Sequence, residues 1–103
     1  SNSYGSGNKY YIGGSVSPTL TLNEGSTYRF DQSDGSNSAH PLRFSTTANG
    51  THGGGSAYTT GVTTSGTAGS SGAYVEITVA SGAPTLYYYC VNHSGMGGQA
   101  NTP

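Results

Sequence analysis

The chain has 103 residues, among them 18 glycines, one cysteine and one methionine, and only 7% are charged, for a formal net charge of −1 at pH 7. That length supports one domain, 1–103, with a modest core. No basic stripe meets nucleic-acid phosphates, no apolar run approaches a membrane span, and one cysteine leaves no internal disulfide, so neither nucleic acid nor membrane is an expected partner.

Residues 1–8 are Ser, Gly and Asn with one Tyr, and read as a flexible lead-in with Ser1-Asn2 as a cloning remnant. Lys9 to Ile12 and Val16 to Leu22 read as strands, the second with Val16, Leu20 and Leu22 on one face. The Asn23-Glu24-Gly25 turn then returns the chain as a hairpin into Thr27 to Asp31, with Tyr28 and Phe30 inward. Leu42 to Ser45 is a short strand after the polar loop Asp34-Gly35-Ser36-Asn37-Ser38. Residues 46–72 form a long excursion almost without apolar periodicity. Ala73 to Val79 alternates cleanly, with Val75, Ile77 and Val79 facing one way. Ser81-Gly82-Ala83-Pro84 turns the chain into Thr85 to Tyr89, where Pro84 can open a strand without donating to a ladder. Leu86, Tyr88 and Cys90 share one face there, which predicts Tyr88 in the core and Tyr87 and Tyr89 half-exposed. No stretch carries a helical period. Many short strands joined by Gly-rich turns define an all-β sandwich or barrel.

The chemistry concentrates after the last of these strands. Cys90, His93 and Met96 lie within seven residues, in a loop made tight by Gly95, Gly97 and Gly98. A thiolate, an imidazole and a thioether together form the soft donor set that suits copper, with methionine as a weak axial ligand. Such a site needs a second imidazole, and His40 stands at the seam between the polar loop and Leu42. His52, in Asn49-Gly50-Thr51-His52-Gly53-Gly54-Gly55, reads as an exposed loop histidine outside the site. The blander alternatives are a buried inert cysteine and a solvated His40. A third is a zinc site from His40, Cys90, His93 and His52, for which methionine is a poor ligand. There is no Ser/His/Asp set, carboxylate pair or phosphate-cradling loop, so an enzyme is not expected.

The order His40, a long gap, then Cys90-x-x-His93-x-x-Met96, with Tyr89 before the cysteine, resembles the type 1 copper site of cupredoxins. The spacing after the cysteine is that of the amicyanin/plastocyanin-like members with the shortest loop. The alternating stretch Leu20 to Asp31 is similar to the hairpin of that family. The resemblance implies a Greek-key β-sandwich and one type 1 copper, with His40, Cys90 and His93 in a trigonal plane and Met96 axial. It implies one-electron transfer by Cu(I)/Cu(II) cycling with a redox partner protein, across an edge near His93 framed by Ala39, Pro41, Gly95 and Gly97, and places Tyr89 on an electron path. Two departures stand out. Small cupredoxins place Asn after the first histidine, where its N–H donates to the copper-bound sulfur; Pro41 has no N–H, which predicts a lower potential. Their tail is an apolar strand, whereas Gly97 to Pro103 is polar, which predicts weak closure or closure by a following domain.

The texture of His40 to Thr47 and of Tyr58 to Val62 also resembles domains embedded in large virion proteins of marine bacteriophages. That likeness implies a metal-stabilised structural or attachment module beside neighbouring domains of a larger chain. The expected setting is extracellular, periplasmic or virion-associated, with the isolated domain a monomer.

Overall fold

The computed structural model describes residues 10–12, 15–16, 18–93 and 95–103. The lead-in over 1–8, and Lys9 of the first expected strand, lie outside the described residues. The protein is all-β, with two sheets facing each other across one core. Its strands are β1 (Tyr11–Ile12), β2 (Ser15–Val16), β3 (Leu20–Thr21), β4 (Thr27–Asp31), β5 (Leu42–Ser45), β6 (Val62–Ser65), β7 (Tyr74–Thr78), β8 (Leu86–Cys90) and β9 (Gly98–Asn101). One sheet has the order β3-β9-β8-β5, the other β4-β7-β6, and β1-β2 is a separate two-stranded ribbon.

Alternation sets which face each strand buries. Val75, Ile77 and Val79 meet Leu86, Tyr88, Cys90, Leu42 and Phe44 between the sheets. Phe30 and Phe44 join the sheets with ring centroids 5.6 Å apart, an aromatic pair of the tilted kind that adds to simple area burial. Tyr88 is buried and its hydroxyl donates to the Pro18 carbonyl at 2.5 Å, so the polar tip of a core residue is satisfied.

Four expectations change. The strand expected from Val16 to Leu22 is interrupted, because Pro18 cannot donate to a ladder, leaving β2 and β3 as separate pieces. The expected hairpin does not form. β3 pairs in parallel with β9, whereas β4 pairs antiparallel with β7, so the turn after Leu22 carries the chain from one sheet to the other. Alternation fixes which face is buried, and that pattern is the same for a hairpin and for a corner between sheets.

The excursion over 46–72 is also more ordered than its composition suggests. Its first part folds back over the outer face of β5 and β8, where Ser45 Oγ donates to the Ser56 carbonyl at 2.7 Å, and then pairs along the open edge of β5, where Tyr58 N–H donates to the Phe44 carbonyl at 2.6 Å. Its second part holds β6, an edge strand held to β7 largely by main-chain pairing. This cover buries Tyr89, which is 2% exposed rather than half-exposed. Gly50 makes it possible. Its φ is +54°, and a Cβ there would lie 2.3 Å from the Tyr89 ring.

The polar tail closes the sheet. β9 lies between β3 and β8, and Ala100, fully buried, is the one apolar side chain of that strand. Main-chain hydrogen bonds hold it, so little apolar content is needed.

Candidate metal centre

β8 ends on Cys90, and β5 opens two residues after His40. Leu42 is paired with Cys90, which fixes the two ligand segments side by side at one end of the sheet. Cys90 is fully buried, pointing inward with Leu86 and Tyr88. The loop beyond it returns His93 to the same point. Both imidazoles turn Nδ1 toward the sulfur, His93 at 3.6 Å and His40 at 3.7 Å from Sγ. The two rings lie 4.5 Å apart, centroid to centroid. One donor atom from each of His40, Cys90 and His93 falls within 4.8 Å of the others, a group able to hold a metal ion.

These distances fit coordination. Thiolate–metal bonds of about 2.3 Å and imidazole–metal bonds of about 2.0–2.1 Å, opened at about 110–120°, separate sulfur from nitrogen by roughly 3.6–3.8 Å. The separations present need no rearrangement to meet that range. His40 is held below the usual imidazole pKa by burial and by the neighbouring His93. It therefore stands neutral, with a lone pair for a metal and little proton to displace. Met96, three residues after His93, is buried in the same apolar cluster as Cys90 and Leu42.

The loops that carry these residues are braced to one another. Asn92 Nδ2 donates to the Ala39 carbonyl at 3.1 Å and Val91 N–H to the Pro41 carbonyl at 3.2 Å, tying the cysteine loop to the His40 segment. Gly95 N–H donates to Asn49 Oδ1 at 2.9 Å, tying the same loop to the cover over Tyr89. Asn49 has φ +64°, a left-handed conformation that asparagine tolerates better than most residues. Tyr10 braces two candidate ligands at once. Its N–H donates to the Met96 carbonyl at 3.0 Å and its hydroxyl to the His40 carbonyl at 2.7 Å. Burial, with the nearby Cys90 adding to it, pushes the Tyr10 phenol far above its ordinary range and keeps it a neutral donor.

His52 stays out of the cluster, as its sequence suggested. Its Nε2 lies 2.8 Å from the Cys90 carbonyl oxygen. A carbonyl only accepts, so Nε2 carries the proton and is not free for a metal. This contact is nonetheless one the sequence did not announce: an exposed loop histidine bonded to the main chain of Cys90, its ring edge-on to Tyr89. Of the four residues expected to frame His93, only the two glycines depart from that reading. Gly95 and Gly97 are buried, while Ala39 and Val91 are exposed and Pro41 partly so.

Tyr10 and Asn49 are braces that the motif did not reveal. Tyr10 lies about thirty residues from the histidine it holds, and polar residues in turns carry no periodic signal. Compared with protein-family models, curated proteins and solved structures, the chain matches none.

Proposed function

We propose that the chain is a mononuclear type 1 copper module of the cupredoxin kind, working in one-electron transfer. The observation that carries this reading is the pair of imidazole Nδ1 atoms at 3.6 and 3.7 Å from one buried cysteine sulfur. His40, Cys90 and His93 would supply two nitrogens and a thiolate, and Met96, next along the loop, a thioether. Two histidines, one cysteine and a weak methionine are the donor set of blue-copper sites. A closed structural zinc site asks for four strong ligands, and among the described residues the cluster offers three, with His52 engaged elsewhere. Copper would supply a one-electron couple there. The chain's own part is to bury the thiolate, hold His40 neutral, present His93 toward the surface, and brace the loops so that the ligands move little.

The test is titration of the metal-free protein with Cu(II), followed by visible absorption and EPR. An intense thiolate-to-copper band saturating at one equivalent, bleached reversibly by a one-electron reductant, is the expected result. Absence of that band would remove the copper reading. A metal that raises Tm without reversible redox exchange would favour the attachment module of a larger virion-like chain.

Pro41→Asn adds an N–H beside the candidate ligands. A hydrogen bond that favours one oxidation state over the other by ~1 kcal/mol moves a one-electron potential by about 40 mV. The variant is expected to raise the potential by roughly that amount, measured by voltammetry on film or in solution. An unchanged or lower potential would mean that the missing donor at residue 41 does not tune this site.

A further inference from the structure

Gln32 is one of two buried polar side chains among the described residues, 4% exposed, and it lies immediately after β4, in the sheet opposite the one that carries His40's neighbour Leu42. Its main chain belongs to that far side. Gln32 N–H donates to the Ala73 carbonyl at 2.9 Å, and its carbonyl accepts from Gly69 N–H at 2.7 Å. Its side chain reaches across to the other sheet. Nε2 donates to the His40 carbonyl at 2.8 Å, and Oε1 accepts from Leu42 N–H at 3.0 Å.

Those two bonds flank Pro41. In a parallel ladder, one residue's N–H donates to the carbonyl before the opposed residue, and its C=O accepts from the N–H after it. The opposed residue contributes neither group, so a proline can occupy that position. The Gln32 amide makes the same two bonds with its side chain. We propose that Gln32 is the positioning residue of His40: its buried amide stands in for a neighbouring strand across Pro41 and fixes the imidazole beside Cys90. The consequence for metal rests on the copper-module reading; the placement of His40 does not.

Nothing else described can replace it. The Tyr10 hydroxyl shares the His40 carbonyl but offers nothing to Leu42 N–H. Asn37 Oδ1 lies 3.4 Å from Gln32 Nε2, a long contact that steadies the amide without substituting for it. Without Gln32 the start of β5 keeps its pairing with β8, while the residue before it loses its hold on the opposite sheet. His40 would then swing on the turn closed by its N–H bond to the Asn37 carbonyl.

The test compares Gln32→Met, similar in length but without donor or acceptor, with Ser45→Ala. Ser45 is the other buried polar side chain, at the far end of the same strand, and its loss removes hydrogen bonds without touching His40. In metal-free wild type, NMR should show Leu42 N–H exchanging as slowly as the core of β5 and a close contact between the His40 and His93 rings. Gln32→Met should speed Leu42 exchange at least tenfold and abolish the ring contact. It should weaken Cu(II) binding about 10–100-fold, the usual effect of losing a partner that orients a ligand. Ser45→Ala should lower Tm and leave all three unchanged. If Gln32→Met behaves like Ser45→Ala, the proposal is wrong. Should the variant not fold, rapid exchange of Leu42 N–H in the wild type would overturn it, and slow exchange with the ring contact present would uphold it. If wild type gives no thiolate–copper band, the copper reading falls, and the exchange and ring measurements still decide the role of Gln32.

Discussion

Cys90→Ser is expected to abolish the thiolate-to-copper band and to weaken Cu(II) binding by more than a hundredfold. The magnitude follows from what is removed. Losing a partner that only orients a ligand costs about 10–100-fold in metal affinity, and Cys90 is the atom on which both imidazoles converge. A serine hydroxyl is a harder, neutral donor, ill-matched to copper beside two imidazoles. The substitution also places a hydroxyl where the thiol is fully buried. That hydroxyl still faces the two imidazole Nδ1 atoms as hydrogen-bond partners, so metal-free Cys90→Ser should fold and melt close to wild type. Cys90→Ala is expected to lose the band as completely and to melt lower than Cys90→Ser, because it removes the buried side chain that both imidazoles face. His52→Ala should retain the band, since its ring nitrogen bonds the Cys90 carbonyl and not the cluster. A band that survives Cys90→Ser, or one that disappears in His52→Ala, would displace the ligand assignment.

Much of the core was legible because alternation is local. Val75, Ile77 and Val79 on one strand, and Leu86, Tyr88 and Cys90 on another, are buried as their period of two requires. Pairing partners were less legible. Leu20 to Asp31 has the pattern of a hairpin, yet its halves join different sheets, because the same alternation suits either outcome. The tail was misjudged for a related reason. Its polar composition hid a strand that closes the sheet through main-chain bonds, with Ala100 as its whole apolar contribution. Residues 46–61 showed no period because they form a cover, holding Ser45 and Tyr89 through single contacts and turns.

The candidate centre was legible as donors and illegible as supports. Cys90 and His93 are brought near each other by spacing alone, and His40 joins them through the pairing of Leu42 with Cys90. Their braces come from scattered places: Tyr10 near the start of the described chain, Gln32 after β4, Asn49 in a left-handed turn. Each acts through one or two hydrogen bonds to main chain, which a sequence does not display. Pro41 shows the difference most clearly. Read alone it is a lost donor; beside Gln32 it is a residue whose missing N–H the local pairing never required.

Gly97→Ala is expected to damage the fold more than any other single methyl addition in the centre's surroundings. A Cβ at residue 97 would lie 1.7 Å from the Tyr88 carbonyl oxygen, 2.6 Å from its carbon and 2.9 Å from the Tyr89 Cα. All three are main-chain atoms of β8, so no side chain can turn aside. Relief requires β8 and β9 to part where Tyr88 is paired with Gly98, two residues beyond Met96. Overpacking a well-filled site costs about 1–3 kcal/mol and occasionally more. A clash with rigid main chain belongs at the upper end, about 3 kcal/mol. At roughly 4–8 °C per kcal/mol for a domain near 100 residues, Tm should fall by about 12–24 °C. Gly35→Ala is the control: nothing lies within 4 Å of its added methyl and its backbone is not left-handed, so Tm should shift by no more than surface substitutions do, within about ±0.5 kcal/mol. The closing strand and the ligand loop share this contact, so metal-loaded Gly97→Ala should also show a weakened or shifted copper band. Equal melting of the two variants by calorimetry would mean that β9 does not approach β8 this closely, and that the sheet closes behind the candidate centre in some other way.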